Sequence, residues 1–240
     1  MSKFLVTKTL HAGPWYTKSS LSRPQLLLLL NPTPNLHLRL PYHHPLRLTL
    51  PMDLTPLPSL RVSKHHIPPY LLLPNSSGTN KPLLIYHSAF HPLSSVSPEA
   101  VEAHLRSVGV VVPQWLYTMY NTTHFHSTTH EVLVVVSGKA KLCFGGEDNP
   151  ERVEVTVGGG DVVVIPAGVG HRLLEDLSSS REGEEGEEEE FEMVGSYPKG
   201  KQWDMCYGRE GEEEKVKGIA GVEWFGGDPV YGDRGPVLDV

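Results

Sequence analysis

The sequence predicts an all-β domain, an antiparallel sandwich or jelly roll rather than an α/β fold. Two observations predict it. Apolar segments of strand length recur quickly between residues 130 and 175, and glycine-rich turns separate them. Strands are expected at 130 to 136, 139 to 144, 151 to 157, 161 to 165 and 171 to 175. Gly138 should close a tight hairpin between the first two, where positive φ is often required. Gly145 to Pro150 and Gly158-Gly159-Gly160-Asp161 read as further turns, and Gly168 as a turn residue. A barrel of this kind holds a small ligand inside.

Residues 1 to 61 read unlike a folded domain. Prolines fall at 14, 24, 32, 34, 41, 45, 51, 56 and 58, a density that neither a helix nor a central strand tolerates. A disordered arm is expected there, with Met52 as an alternative start, and one domain over 62 to 240. Tyr70 to Leu73 and Leu83 to Tyr86 read as early strands, paired in a hairpin at a sheet edge. His65, His66, His87 and His91 lie nearby without ligand spacing. Residues 97 to 109 give the clearest helix, with Ser97 as cap, Pro98 in the first turn, a Val101, Leu105, Val108 stripe and Gly109 as stop. Alternation then sets Trp115, Tyr117 and Met119 on one strand face, and Leu116, Thr118 and Tyr120 on the other.

Beyond residue 175, Ser178 to Glu190 reads as an exposed acidic loop. Phe191 to Tyr197 resumes as a strand, Trp203 to Tyr207 as a short strand or turn, and Lys215 to Ala220 as helix or coil. Val230, Tyr231, Val237 and Leu238 are too apolar for a free tail, so the end of the chain should pack back on the domain.

Charge and cysteines exclude several classes. The net charge of -7 is local: residues 181 to 192 carry eight glutamates and one arginine, and the rest is balanced. No basic cluster is interleaved with aromatics, so nucleic-acid binding is not suggested. The longest leucine run, Leu26 to Leu30, falls far short of the ~20 residues of a membrane span. Cys143 and Cys206 are too few for a disulfide framework and read as reduced core residues, which suits a cytoplasmic protein.

The chemistry lies between residues 120 and 171. His124 and His126 stand at i and i+2, which places both rings on one face of an extended segment. Glu131 opens an apolar strand and shares its side with Leu133 and Val135, so it should point into the core, where an ionised carboxylate needs a partner. His171 follows a second apolar strand and the Pro166-Ala167-Gly168 turn. Three imidazoles and a carboxylate suit one divalent transition ion. Its affinity should fall below about pH 6 as the histidines protonate. His130 flanks Glu131 and should point the opposite way, reaching the site only if the strand twists or bulges.

This spacing resembles the cupin superfamily, also called RmlC-like. The first motif is matched by His124, His126, Glu131 and Gly138, the second by Gly160, Pro166, Gly168 and His171. Thr118 and Glu175 depart from the usual opening glycine and closing asparagine, neither of which is a ligand in that family. The stretch from Tyr197 to Met205, with Asp228-Pro229-Val230-Tyr231-Gly232, looks like the YjlB-like single-domain cupins of bacteria and fungi. The resemblance implies an RmlC-like jelly-roll barrel with one or two peripheral helices, a single Fe, Mn, Ni or Zn ion, and a homodimer. It leaves two functions open. One is a small-molecule enzyme, an oxygenase or isomerase; the other is a non-catalytic metal- or ligand-binding module. A metal-free sugar epimerase fits poorly, because the four-ligand set is intact.

Overall fold

Residues 52–178 and 190–240 are described by a computed structural model of the chain. Its strands are β1 (Asp53–Leu54), β2 (Arg61–His65), β3 (Leu83–His87), β4 (Phe90–His91), β5 (Val111–Tyr117), β6 (Glu131–Ser137), β7 (Lys139–Phe144), β8 (Val153–Gly158), β9 (Val162–Ile165), β10 (His171–Asp176) and β11 (Glu192–Pro198). Two α-helices, α1 (Pro98–Val108) and α2 (Glu213–Gly218), and five short 3-10 helices complete the regular elements among the described residues. The five strands expected between residues 130 and 175 are present within two residues of their expected ends. All but Ser178 and Glu190 of the expected acidic loop, and the expected arm up to residue 51, lie outside the described residues. The rest of that arm is described: Asp53 and Leu54 pair with His91 and Phe90.

The strands do not form the expected jelly-roll barrel. They hydrogen-bond as three open sheets: six strands in the order β2-β3-β9-β6-β11-β5, three as β10-β7-β8, and the pair β1-β4. Among the described residues no sheet closes on itself. The reason lies in the connection from β5 to β6, which carries the histidines. It contributes single bridges, His124 with His171 and Phe125 with Cys206, instead of a ladder. The two larger sheets therefore face each other without joining.

Their facing sides build the first core. Leu83, Ile85, Leu133, Val135, Val163 and Met193 of the six-stranded sheet meet Ala140, Leu142, Phe144 and Val157 of the three-stranded one. Burying such a set supplies most of the driving force for the fold, at roughly 25 cal/mol per Å² of apolar surface. The alternate residues of the six-stranded sheet are buried as well. Leu84, Tyr86, Val132, Val134, Val164 and Val194 pack against Val101 and Leu105 of α1 and against Phe225, Val230 and Val237 of the C-terminal tail. The large sheet is thus covered on both faces, which explains why β6 and β9 are almost uninterrupted valine, leucine and isoleucine.

Helix α1 starts and stops as expected. Ser97 Oγ accepts from Ala100 N at 3.3 Å, and Gly109 ends the helix at φ 76. Gly138, Gly160 and Gly168 all have positive φ. The expected hairpin between residues 70 and 86 does not form. β3 pairs with β2 and β9 instead, inside the sheet rather than at its edge. Tyr70 to Leu73 is a turn, because Pro68, Pro69 and Pro74 crowd it and Leu71 takes φ 52.

Candidate metal centre

One ring nitrogen of each of His124, His126 and His171 lies within 4.8 Å of those of the other two, and all three residues are buried. Each histidine is placed by local structure. Backbone bonds of 3.2 and 2.8 Å couple His124 to His171 in both directions. The ring of Phe125, between the two histidines, goes the other way into a small core with Leu73, Ala167, Cys206 and Ile219. The alternation of an extended segment therefore leaves His124 and His126 on one side. His171 begins β10 after a turn held by a buried amide. Asn75 N donates to Gly168 O, and Asn75 Oδ1 accepts from Gly170 N at 3.1 Å. Gly168, at φ 91, is required there. A side-chain carbon would also come within 3.0 Å of Pro74.

The Nδ1 atoms are all committed. His124 Nδ1 donates to Thr122 O at 2.9 Å, His171 Nδ1 to Val169 O at 2.9 Å, and His126 Nδ1 to Asp204 O. This fixes the tautomer and leaves the Nε2 lone pairs to converge. Glu131 closes the set, with Oε1 at 3.5 Å from His126 Nε2 and Oε2 at 3.3 Å from His171 Nε2. Tyr197 OH donates to Oε1 at 2.6 Å, and Trp115 Nε1 donates to the Tyr197 oxygen at 3.0 Å. A cluster of acceptor atoms at these separations is repulsive unless a cation sits among them.

The protonation tendencies express that requirement. Burial, and then the neighbouring His124, push His171 down to about 3. Burial likewise lowers His124. Burial would lower His126 too, but the Glu131 carboxylate and Asp204 outweigh it and raise its value. Burial opposes ionisation of Glu131, yet His126, His171 and the Tyr197 hydroxyl bring it down to about 2. The residues thus fit a single divalent ion of unspecified identity.

The site opens on a cavity of about 300 Å³. Its walls include Trp115, Met119, Leu133, Met193, Trp203 and Met205. Strict alternation along β5 misjudges how this wall is built. Val111 packs on the outer face of the large sheet and Trp115 on the inner, because the register slips opposite Gly195 and Ser196. Pro113 tolerates this as an edge-strand residue. Trp115 then lies over Gly195, where a side-chain carbon would meet the indole at 1.9 Å. Thr118, Tyr117 and Tyr120 also line the cavity, so both of the expected faces reach it.

Sequence reasoning missed three supporting residues. Trp115 and Tyr197 form the relay to Glu131. Asp204 gathers the segment after His126: its carboxylate accepts from Ser127 N at 2.7 Å and Ser127 Oγ at 2.8 Å, and pairs with Lys215 Nζ at 3.2 Å. The signal for two of them is the Tyr197 to Met205 stretch, whose local pattern gives a strand and a turn but not their contacts with the site. His130 does point away from Glu131. Its Nδ1 accepts from Ala167 N at 2.9 Å, its Nε2 faces Glu223 O at 3.2 Å, and its ring packs edge-on to Trp224. It is a structural brace.

A cupin domain model matches residues 118–176. The protein YjlB of Bacillus subtilis (strain 168), itself described as uncharacterized, is 36% identical over 160 residues, covering 66% of this chain and 85% of its own length. Among solved structures, procruciferin, an 11S globulin of Brassica napus, is 14% identical with a TM-score of 0.28, over 62% of this chain and 27% of that one. A mutant of the Bacillus subtilis oxalate decarboxylase OxdC is 17% identical with a TM-score of 0.28, over 52% and 27%. The chain spans about a quarter of the length of these two structures. The family model falls on the segment that holds all three histidines and Glu131, and the Bacillus relative extends the likeness over two thirds of the sequence, so the chain belongs to the cupin superfamily.

Proposed function

We propose that this cupin is a metal-dependent enzyme acting on a small molecule, with one divalent ion held by His124, His126, Glu131 and His171. The observation that carries the reading is the set of acceptor atoms that needs a cation and faces an accessible cavity of about 300 Å³. A structural metal site is closed by its ligands, whereas a site beside a cavity has room for a further ligand. A bound ion would supply Lewis-acid polarisation of a ligand oxygen. The chain's own residues orient the imidazoles through backbone carbonyls, hold Glu131 ionised through Tyr197, and keep water from the apolar walls.

Metal analysis by mass spectrometry on untagged protein is the decisive experiment. About one equivalent of a transition metal is expected, lost in His126→Ala and His171→Ala. Substoichiometric metal that is unchanged in both variants would end the reading.

A homodimer and a cytoplasmic setting complete the proposal. The dimer is supported by edge strand β5, which leaves Tyr117 57% exposed beside Leu116. Light scattering that gives a monomer at micromolar concentration would remove it. The cytoplasmic reading rests on Cys143 and Cys206, both buried and unpaired. Among the described residues no helix is long and apolar enough to cross a membrane.

A further inference from the structure

We infer that the cavity is built for a small, flat, apolar monoanion: one ring system bearing one acidic oxygen group. This rests on the metal reading above and names the ligand class for the same site. Two features specify it. The first is charge. With the three histidines neutral, a divalent ion and the Glu131 carboxylate leave one net positive charge at the inner end of the cavity. Among the described residues no lysine or arginine lines the cavity. A ligand with one acidic group satisfies that charge, whereas a second anionic group would be desolvated without a partner. Arg209 stands in the adjoining outer cleft with Tyr207 and Thr122, so it serves no second anion on a ligand small enough to remain inside.

The second feature is shape and polarity. Aromatic rings and thioethers make up most of the wall. Trp203 stacks beside Tyr197 with ring centroids 6.3 Å apart at 23°, and it is 40% exposed where the cavity meets the outer cleft. Met119, Met193 and Met205 are polarizable and adapt to a ring edge. The volume lies at the low end for ligand pockets and fits one or two fused rings. Sugars and phosphorylated compounds would leave most of their hydroxyls and charges unpaired against such a wall.

The test is calorimetric titration of the full chain loaded with zinc, after its metal content has been measured. The probes are 1-naphthoate, acetate and phthalate. 1-Naphthoate should bind at least about tenfold more tightly than either acetate or phthalate. Zinc-loaded protein that binds acetate or phthalate as well as 1-naphthoate would overturn the inference while leaving the metal reading intact. Failure to take up zinc would overturn the metal reading and this inference together.

Discussion

Each imidazole of the proposed metal site is oriented by a carbonyl behind it, and Glu131 by a phenol. Removing that phenol is informative because it leaves every proposed ligand in place. Tyr197→Phe should weaken zinc binding about 10- to 100-fold, the usual cost of losing an outer partner of a metal ligand. A competitive chelator titration checks this, and unchanged affinity would show that the Tyr197 bond to Glu131 has no influence. Gly195→Ala should act on the same relay from the other side. The added carbon collides with the Trp115 indole, so Trp115 must leave the bond to Tyr197. A reduced Trp near-ultraviolet circular dichroism signal, with a lowered melting temperature, is the expected readout. His130 makes a separate prediction. Burial holds it down to about 4, against 6.5 in the unfolded chain. Below pH 6.5 the unfolded state takes up a proton that the folded state refuses. The stability associated with neutral His130 is therefore complete above pH 6.5 and lost as pH falls toward about 4, in total about 3 kcal/mol. Urea melts of metal-free protein at pH 7 and pH 4.5 should diverge less in His130→Asn than in the parent. Equal divergence would assign the loss to other groups.

The elements that carry the ligands are the ones the sequence described best. Gly138 and Gly160 stand in the turns either side of β7 and β8, and their positive φ is what those turns require. The pair of histidines around Phe125, the carboxylate at the head of β6 and His171 after the glycine turn were all legible, because strand alternation and turn chemistry are local rules. What was not legible depends on pairing. Asp204 meets His126 only because Cys206 bridges to Phe125. Trp115 turns inward only because β11 forces the register slip in β5. The turn at residues 70 to 73 looked like a strand because its leucines are apolar, while its real task is to lead into Asn75. That element view gives a further test. Asp204→Ala removes the anchor of Ser127 and loosens the carbonyl behind His126, so zinc affinity should fall about 10-fold or more without loss of the folded state. A melt shifted by many degrees with affinity intact would make Asp204 a stability residue alone.

At the scale of the molecule, the missing barrel is the main departure from expectation. Periodicity and turn spacing give strands and faces, and here they give them well. Closure depends on whether two edges find each other, and a connection such as residues 118 to 130 settles that by tertiary contacts. What remains is a six-stranded sheet covered on both sides and a three-stranded sheet over one of them. The double cover suits a sheet whose outer face carries valines at 132, 134, 162, 164 and 194.

The C-terminal reach of the site's supports also affects when a newly made chain can first hold its ion. His171 leaves the ribosome long before Tyr197 and Asp204, and the order of the six-stranded sheet places late-made β11 between β6 and β5. A chain stopped shortly after β10 has all four proposed ligands in sequence, but neither the phenol beside Glu131 nor the carbonyl behind His126. Metal capture is then a late event in biosynthesis, after strand β11 has inserted. Stalled nascent chains ending near residue 180 should retain no zinc through a wash that leaves it on chains released at full length. Equal retention by the two would place capture before the sheet is assembled.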